Sequence, residues 1–327
     1  MPGSKRFKAQ KRLFLRQAPQ HPAPGLRYVK AAHPAHTAGG REIVEKWEWF
    51  ERVVLMATLV SVIFGIWAWK EEHDTRREEA INRAWSILTA PATGNSGKRE
   101  ALEYLAAQGV SLRGIDLSCE KMGGGWDEAQ KACDNPVDLM RLTPKAPEGE
   151  RVDLYRAHLQ GAKLLLAHLA GGNLGEARLE GADLRVAHLE GAGLFEAHLE
   201  AARLGGAYLQ KASLRETHLE GAALWEAQME GADLRGAHLE EASLWKAQME
   251  GADLSHAHLD RAQISGADFN KVVGLDTAHF TDVWAWADSP PIGLPATIPV
   301  TLCQYRDGMA RYLEPFLIRP DPCLPPD

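Results

Sequence analysis

Histidine stands at positions 158, 198, 218, 238 and 258, with Arg178 filling the one gap in this twenty-residue series. Two places after each comes a carboxylate or amide: Gln160, Glu180, Glu200, Glu220, Glu240 and Asp260. A second series runs His168, His188, Tyr208, Gln228, Gln248, beside Ala170, Glu190, Gln210, Glu230 and Glu250. Imidazole beside carboxylate is chemistry for titration near neutrality and for zinc ligation. Two readings are open: a metal-binding or pH-responsive ladder, and a solvated face repeated by duplication. A row of equivalent donors does not supply the closed set of three or four ligands that zinc prefers, so no metal or other cofactor is assigned. The residues retained as a candidate interaction surface are His198, His218, His238 and His258, with Glu180, Glu200, Glu220 and Glu240. Trp225 and Trp245, also twenty apart, join them, because aromatics displayed on a rigid face suit a protein contact. Their alternative is burial under a neighbouring segment.

Residues twenty apart become neighbours only if the backbone turns with that period. Leucine and alanine show that it does. From Arg151 to Asn270 the sequence divides into 24 units of five, with Leu central in 20 of them and Met229, Met249, Ile264 and Phe269 in the others. The residue two before the centre is Ala in 21, the exceptions being Val152, Gly172 and Thr217. A helix would smear a five-residue period around all its faces, and a flat strand, alternating with period 2, would throw successive leucines to opposite sides. Only a chain that turns a corner in every unit points all of them inward. One large and one small inward side chain per step then fill a narrow tube. Residues 221–240 and 241–260 agree at 14 of 20 positions, which is the self-similarity of one four-sided coil.

The units "GADLR" at 181 and 231 and "GADLS" at 251 resemble the consensus of the pentapeptide-repeat family. The resemblance implies an all-β core: a right-handed quadrilateral β-helix with four pentapeptides per coil. The family includes soluble proteins that shield DNA gyrase from quinolone drugs by imitating duplex DNA, but function within a fold belongs to surface residues and partner access. Charge in residues 151–270 is 18 acidic against 11 basic, with the acids interleaved among Arg and His. A DNA mimic calls for unbroken acidic columns.

The 327-residue chain, of net charge -7, distributes its charge unevenly. Met1 to Arg41 holds nine Lys or Arg, five Pro and no Asp or Glu. Residues 1–50 therefore read as a basic, disordered, cytoplasmic tail. Val53 to Trp69 is 17 residues without a charge, flanked by Trp47, Trp49, Phe50, Trp67 and Trp69, so residues 51–70 read as a transmembrane helix with aromatic belts. Residues 71–108 read as a helical stalk, 109–280 as the β-helix with an irregular insertion at 119–150, and 281–327 as a C-terminal cap. Beyond Asn270 a one-residue slip is expected, with Leu275 and Phe280 as the next centres.

Only four Lys or Arg lie in residues 70–89. The positive-inside bias thus places the N-terminus in the cytoplasm and the rod across a bacterial inner membrane, in the periplasm. That compartment would permit disulfides, and local pairing of Cys119 with Cys133 and of Cys303 with Cys323 is the simplest arrangement, free thiols being the alternative. No GxSxG, HExxH or CxxC occurs, and a tube full of Leu and Ala leaves no pocket, so no enzyme is expected. The function expected is a membrane-anchored scaffold for an envelope protein partner, without direct nucleic-acid binding. The alternative is a DNA-mimic protein that protects a topoisomerase such as DNA gyrase.

Overall fold

The computed structural model describes residues 38–303, apart from 95 and 149. Residues 1–37 of the basic tail and 304–327 of the C-terminal cap lie outside the described residues. The chain divides into two units, 1–70 and 71–327. In the first, α1 (Ala38–Thr89) already runs from residue 38, so part of the expected disordered tail is helical. It continues without a break past residue 70. Side chains from Val53 to Trp69 such as Leu55, Val60, Phe64 and Trp69 are each more than half exposed, and the most apolar stretch has a mean hydropathy of 1.9. This helix is long and apolar enough to cross a membrane.

The second unit is built on the pentapeptides. Parallel bridges join residues twenty apart over most of the length, including Asp153 to Asn173, His158 to Arg178, Lys163 to Asp183 and His168 to His188. Each coil therefore has four faces, and most bridge residues stand between a buried Ala and a buried Leu, with their side chains on the outside of the tube. The central residues from Leu154 to Phe269 are at most 1% exposed, which makes one continuous apolar filling. The backbone satisfies itself along the same axis, as in Leu184 N–H to Arg203 O at 2.8 Å and Arg203 N–H to Ala182 O at 2.9 Å.

The corner is where five becomes a sensible period. The N–H of Ala162 donates to the Leu159 carbonyl at 3.0 Å, closing a four-residue turn whose third residue, Gly161, has φ +68°. That is the type II pattern. The equivalent residue has positive φ in all units from Arg156 to Lys271, and many of these are not glycine. Val186, at φ 55°, is the least suited, because a β-branched side chain crowds the left-handed region. Val186→Gly is expected to stabilise the rod by about 0.5–1 kcal/mol, the relieved strain exceeding the extra chain entropy of glycine. Chemical denaturation of the two proteins checks it, and a loss of stability would contradict the turn assignment.

Both ends of the tube are closed. At the N-terminal end, Ala84 and Leu88 of α1 and Ala101, Leu102, Leu105 and Ala106 of α2 (Lys98–Ala107) join the same core as the first coil. The segment expected as a stalk thus caps the N-terminal end of the tube through residues 84–106. Lys98 is fully buried and donates to the carbonyls of Ile87, Leu88 and Ala90 at 3.1, 2.8 and 2.5 Å, satisfying the open end of α1.

The expected 119–150 insertion is shorter than its sequence suggested. Asp138 bridges Lys163, and Val137, Leu139 and Leu142 are buried in the core, so 137–142 rejoin the first coil. What leaves the coil is a small hairpin of β1 (Trp126–Asp127) and β2 (Ala132–Cys133), with Cys119 and Cys133 joined by a disulfide at its base. At the far end, Gly274 and not Leu275 occupies the next central position, since Val273 still bridges Asp253. The extra residue falls after it, His279 bridges His258, and Phe280 takes the following centre. There β3 (Trp284–Trp286) pairs in parallel with β4 (Thr301–Cys303), burying Val283, Trp284 and Trp286. Cys303 is disulfide-bonded, and the expected partner Cys323 lies outside the described residues.

Candidate interaction surface

The four faces carry four outward columns. On the second face the bridges run Asp116, His158, Arg178, His198, His218, His238, His258, His279. From His198 to His279 the imidazoles stack at 4.7, 5.0, 5.0 and 4.6 Å, within 8° of parallel. His279 was hidden from a strict twenty-residue count by the slip before it. Three of these rings lean on the carboxylate two residues ahead: Nδ1 of His198, His218 and His238 lies 3.1, 3.2 and 3.3 Å from Oε1 of Glu200, Glu220 and Glu240. In the neutral ring that nitrogen carries the donated proton and Nε2 keeps the lone pair. The second oxygens, Oε2 of Glu200, Glu220 and Glu240, are buried and have no hydrogen-bond partner.

The lower end of this face is covered. A Cβ on Gly181 would lie 1.7 Å from the Lys131 carbonyl oxygen, and one on Gly161 would lie 2.6 Å from Cys133 Cβ. Glycine at these two corners lets the hairpin lie directly on the rod. Glu180 is consequently 5% exposed and bonded to Arg178, with Nε and Nη2 each 3.0 Å from its Oε1, so it is not part of an accessible surface. The accessible carboxylate column begins at Glu200.

On the fourth face His168, His188 and Tyr208 stack at 4.5 Å per step. Trp225, on an adjoining corner, lies flat on the coil before it: a Cβ on Gly205 would be 2.0 Å from its ring. Trp245 has the Lys246 ammonium 4.2 Å above its ring. Both tryptophans are half-buried, so they are less displayed than their sequence positions suggested. Phe195 covers Gly175 in the same way on another corner.

On the first and third faces Asp233 and Asp183 are each paired with the arginine two residues ahead. Arg235 grips Asp233 through two bonds of 2.7 and 2.6 Å, and Arg185 grips Asp183 through two of 2.7 Å. The Arg235 hydrogen bond outweighs partial burial and holds the Asp233 pKa below the ordinary 3.8. A depressed folded pKa gives stability that is complete above the unfolded value and is lost as pH falls through the folded one. Asp233→Asn is therefore expected to lower the thermal midpoint by about 1–3 °C at pH 6 and by less at pH 2. An equal loss at both pH values would show that packing, and not charge, is responsible.

A cavity of about 300 Å³ lies where α2 meets the first coil, lined by Ala106, Val110, Leu112, Glu150, Val152 and Asp153 among others. Among the described residues, no serine or cysteine nucleophile beside a histidine base lines it.

A family model for pentapeptide repeats matches eight copies across residues 150–185, 166–200, 197–236 and 232–270. Among solved structures, a trypsin-treated single-substitution variant of QnrB1, a plasmid-mediated fluoroquinolone resistance protein, is 16% identical, with 55% of this chain and 79% of that one covered and a TM-score of 0.38. The pentapeptide repeat protein Rfr23 from the cyanobacterium Cyanothece 51142 is 25% identical, with coverage of 44% and 83% and a TM-score of 0.26. A pentapeptide repeat protein from the Arabidopsis thaliana thylakoid lumen is 30% identical, with coverage of 32% and 66% and a TM-score of 0.19. No curated protein matches the chain.

Proposed function

Because the chain belongs, through residues 150–270, to the pentapeptide-repeat family, we propose that it is a non-enzymatic scaffold, anchored in a bacterial inner membrane, that binds an envelope protein. The observation that carries this is the pairing of an exposed apolar helix with a rod whose interior is completely filled. The filled interior leaves chemistry to the faces, and the faces present rigid rows of His, Glu, Tyr and Gln at about 4.8 Å spacing. Such a surface recognises another macromolecule by shape and charge, with each row fixed by the backbone beneath it.

DNA mimicry fits less well. The Glu200 to Glu240 column is matched rung by rung with imidazole, and Asp183 and Asp233 are neutralised by arginine. The excess of Lys and Arg before the apolar stretch supports an N-terminus inside the cell and a rod beyond the reach of DNA enzymes. Fusing alkaline phosphatase or a fluorescent protein after Asp327 tests this. Phosphatase activity without fluorescence is expected. Fluorescence without phosphatase activity would put the rod in the cytoplasm and favour the topoisomerase reading.

A further inference from the structure

We propose that the imidazole–carboxylate face of the rod binds divalent transition-metal ions, two per chain, with zinc as the representative ion. The first site is His198, Glu200 and His218, whose ligand atoms all lie within 4.8 Å of one another. Two nitrogens and one carboxylate, with a position left for water, is an established donor set for zinc. Ligand atoms of a tetrahedral ion with bonds of about 2.0–2.2 Å stand roughly 3.3 Å apart. The rung already has that spacing, since His198 Nδ1 and Glu200 Oε1 are 3.1 Å apart. An ion there replaces the proton between them, the neutral ring carrying its one proton on Nε2 instead, so no net proton is released. The remaining ligand comes from the next coil, and the rotation that brings the His218 ring in unstacks it from His198.

An independent feature points the same way. Glu200 presents a second oxygen, Oε2, that is buried and unpartnered, a costly state for an ionised carboxylate that an adjacent cation removes; Glu190 and Glu230 on the fourth face share it, but among the described residues no three-donor group forms there. Farther along the rod two more three-donor groups occur, each with one imidazole and two carboxylates: Glu220, His238 and Glu240, and Glu240, His258 and Asp260. These two share Glu240, so together they hold one ion, which sets the total at two. Glu180 takes no part, being bonded to Arg178 under the hairpin. The regular repetition that argues against a single closed zinc site becomes, in three dimensions, a rack of open ones.

The test is titration calorimetry of the full chain, without a polyhistidine tag, in detergent at pH 7.5 with zinc chloride. Two ions are expected. His218→Gln should bind one, His238→Gln combined with His258→Gln should also bind one, and His188→Gln on the fourth face should bind two. Tetrahedral cobalt absorption, lost with His218→Gln in part and with the triple variant entirely, gives a second readout independent of heat. Fewer than two ions in the unaltered chain, or two retained by either variant set on the second face, would overturn the proposal.

Discussion

One residue inserted between Arg203 and Leu204 is expected to destabilise the rod by about 3–5 kcal/mol, from the burial lost by one leucine and the backbone groups left unpaired by a bulge. Arg203 is a bridge residue with N–H to Ala182 O at 2.9 Å, and Leu204 beside it is fully buried. A slip there sends Leu204 outward, and nothing on the surface can receive it. Duplicating residues 221–240 should have the opposite effect, adding a whole coil with its own filling and its own bridges, and it should preserve a single cooperative transition. The chain itself shows where an odd residue is tolerated: the extra one between Gly274 and Ala278 lies in a corner, where no inward side chain changes sides. Urea denaturation of the two variants separates these outcomes. Equal losses would contradict a tube with a fixed twenty-residue coil.

The second large effect concerns the anchor. Replacing both Ile63 and Phe64 with lysine is expected to raise the cost of membrane insertion by about 6–8 kcal/mol, since each central lysine costs roughly 3 and each apolar residue lost contributed a few tenths. Ile63 is 57% and Phe64 64% exposed, and the Phe64–Trp67 ring pair at 5.6 Å is the one ring contact the substitutions remove among the described residues. Val53 to Trp69 would span about 26 Å as a helix, close to the thickness of a hydrocarbon core and too short to absorb two charges at its middle. The doubly substituted chain should move from the membrane pellet to the soluble fraction with its far-ultraviolet spectrum of the rod unchanged. Retention in the pellet after carbonate washing would remove the basis for a membrane anchor.

The tube was legible because its information is periodic: Leu184, Ala182 and their equivalents fix face and direction with no reference to anything outside the unit. Columns of His and Glu followed from the same period. What the period could not carry lies where it fails. Val137 and Leu139 flank Asp138 much as Ala182 and Leu184 flank Asp183, but one isolated unit among irregular residues gives no repetition to recognise. Gly161 and Gly181 look like ordinary corner glycines, and only the hairpin lying on them explains why a larger residue is excluded. The half-burial of Trp225 depends on Gly205, twenty residues earlier, whose missing side chain is the groove the indole fills. Lys98 begins α2, a position where a lysine is ordinarily exposed, yet it is buried because three carbonyls of the preceding helix end converge on it.

A rod held at the membrane is proposed to bind a protein through one of its faces. A photo-crosslinking amino acid placed singly at Ser213, His218, Arg203 and Gln228 samples the four bridge columns in turn. After irradiation of intact cells, the account predicts a discrete envelope-protein adduct at one or two adjoining faces, lost when the apolar stretch carries the two lysines. Absence of an adduct on all four faces, or adducts to DNA gyrase in place of an envelope protein, would contradict it.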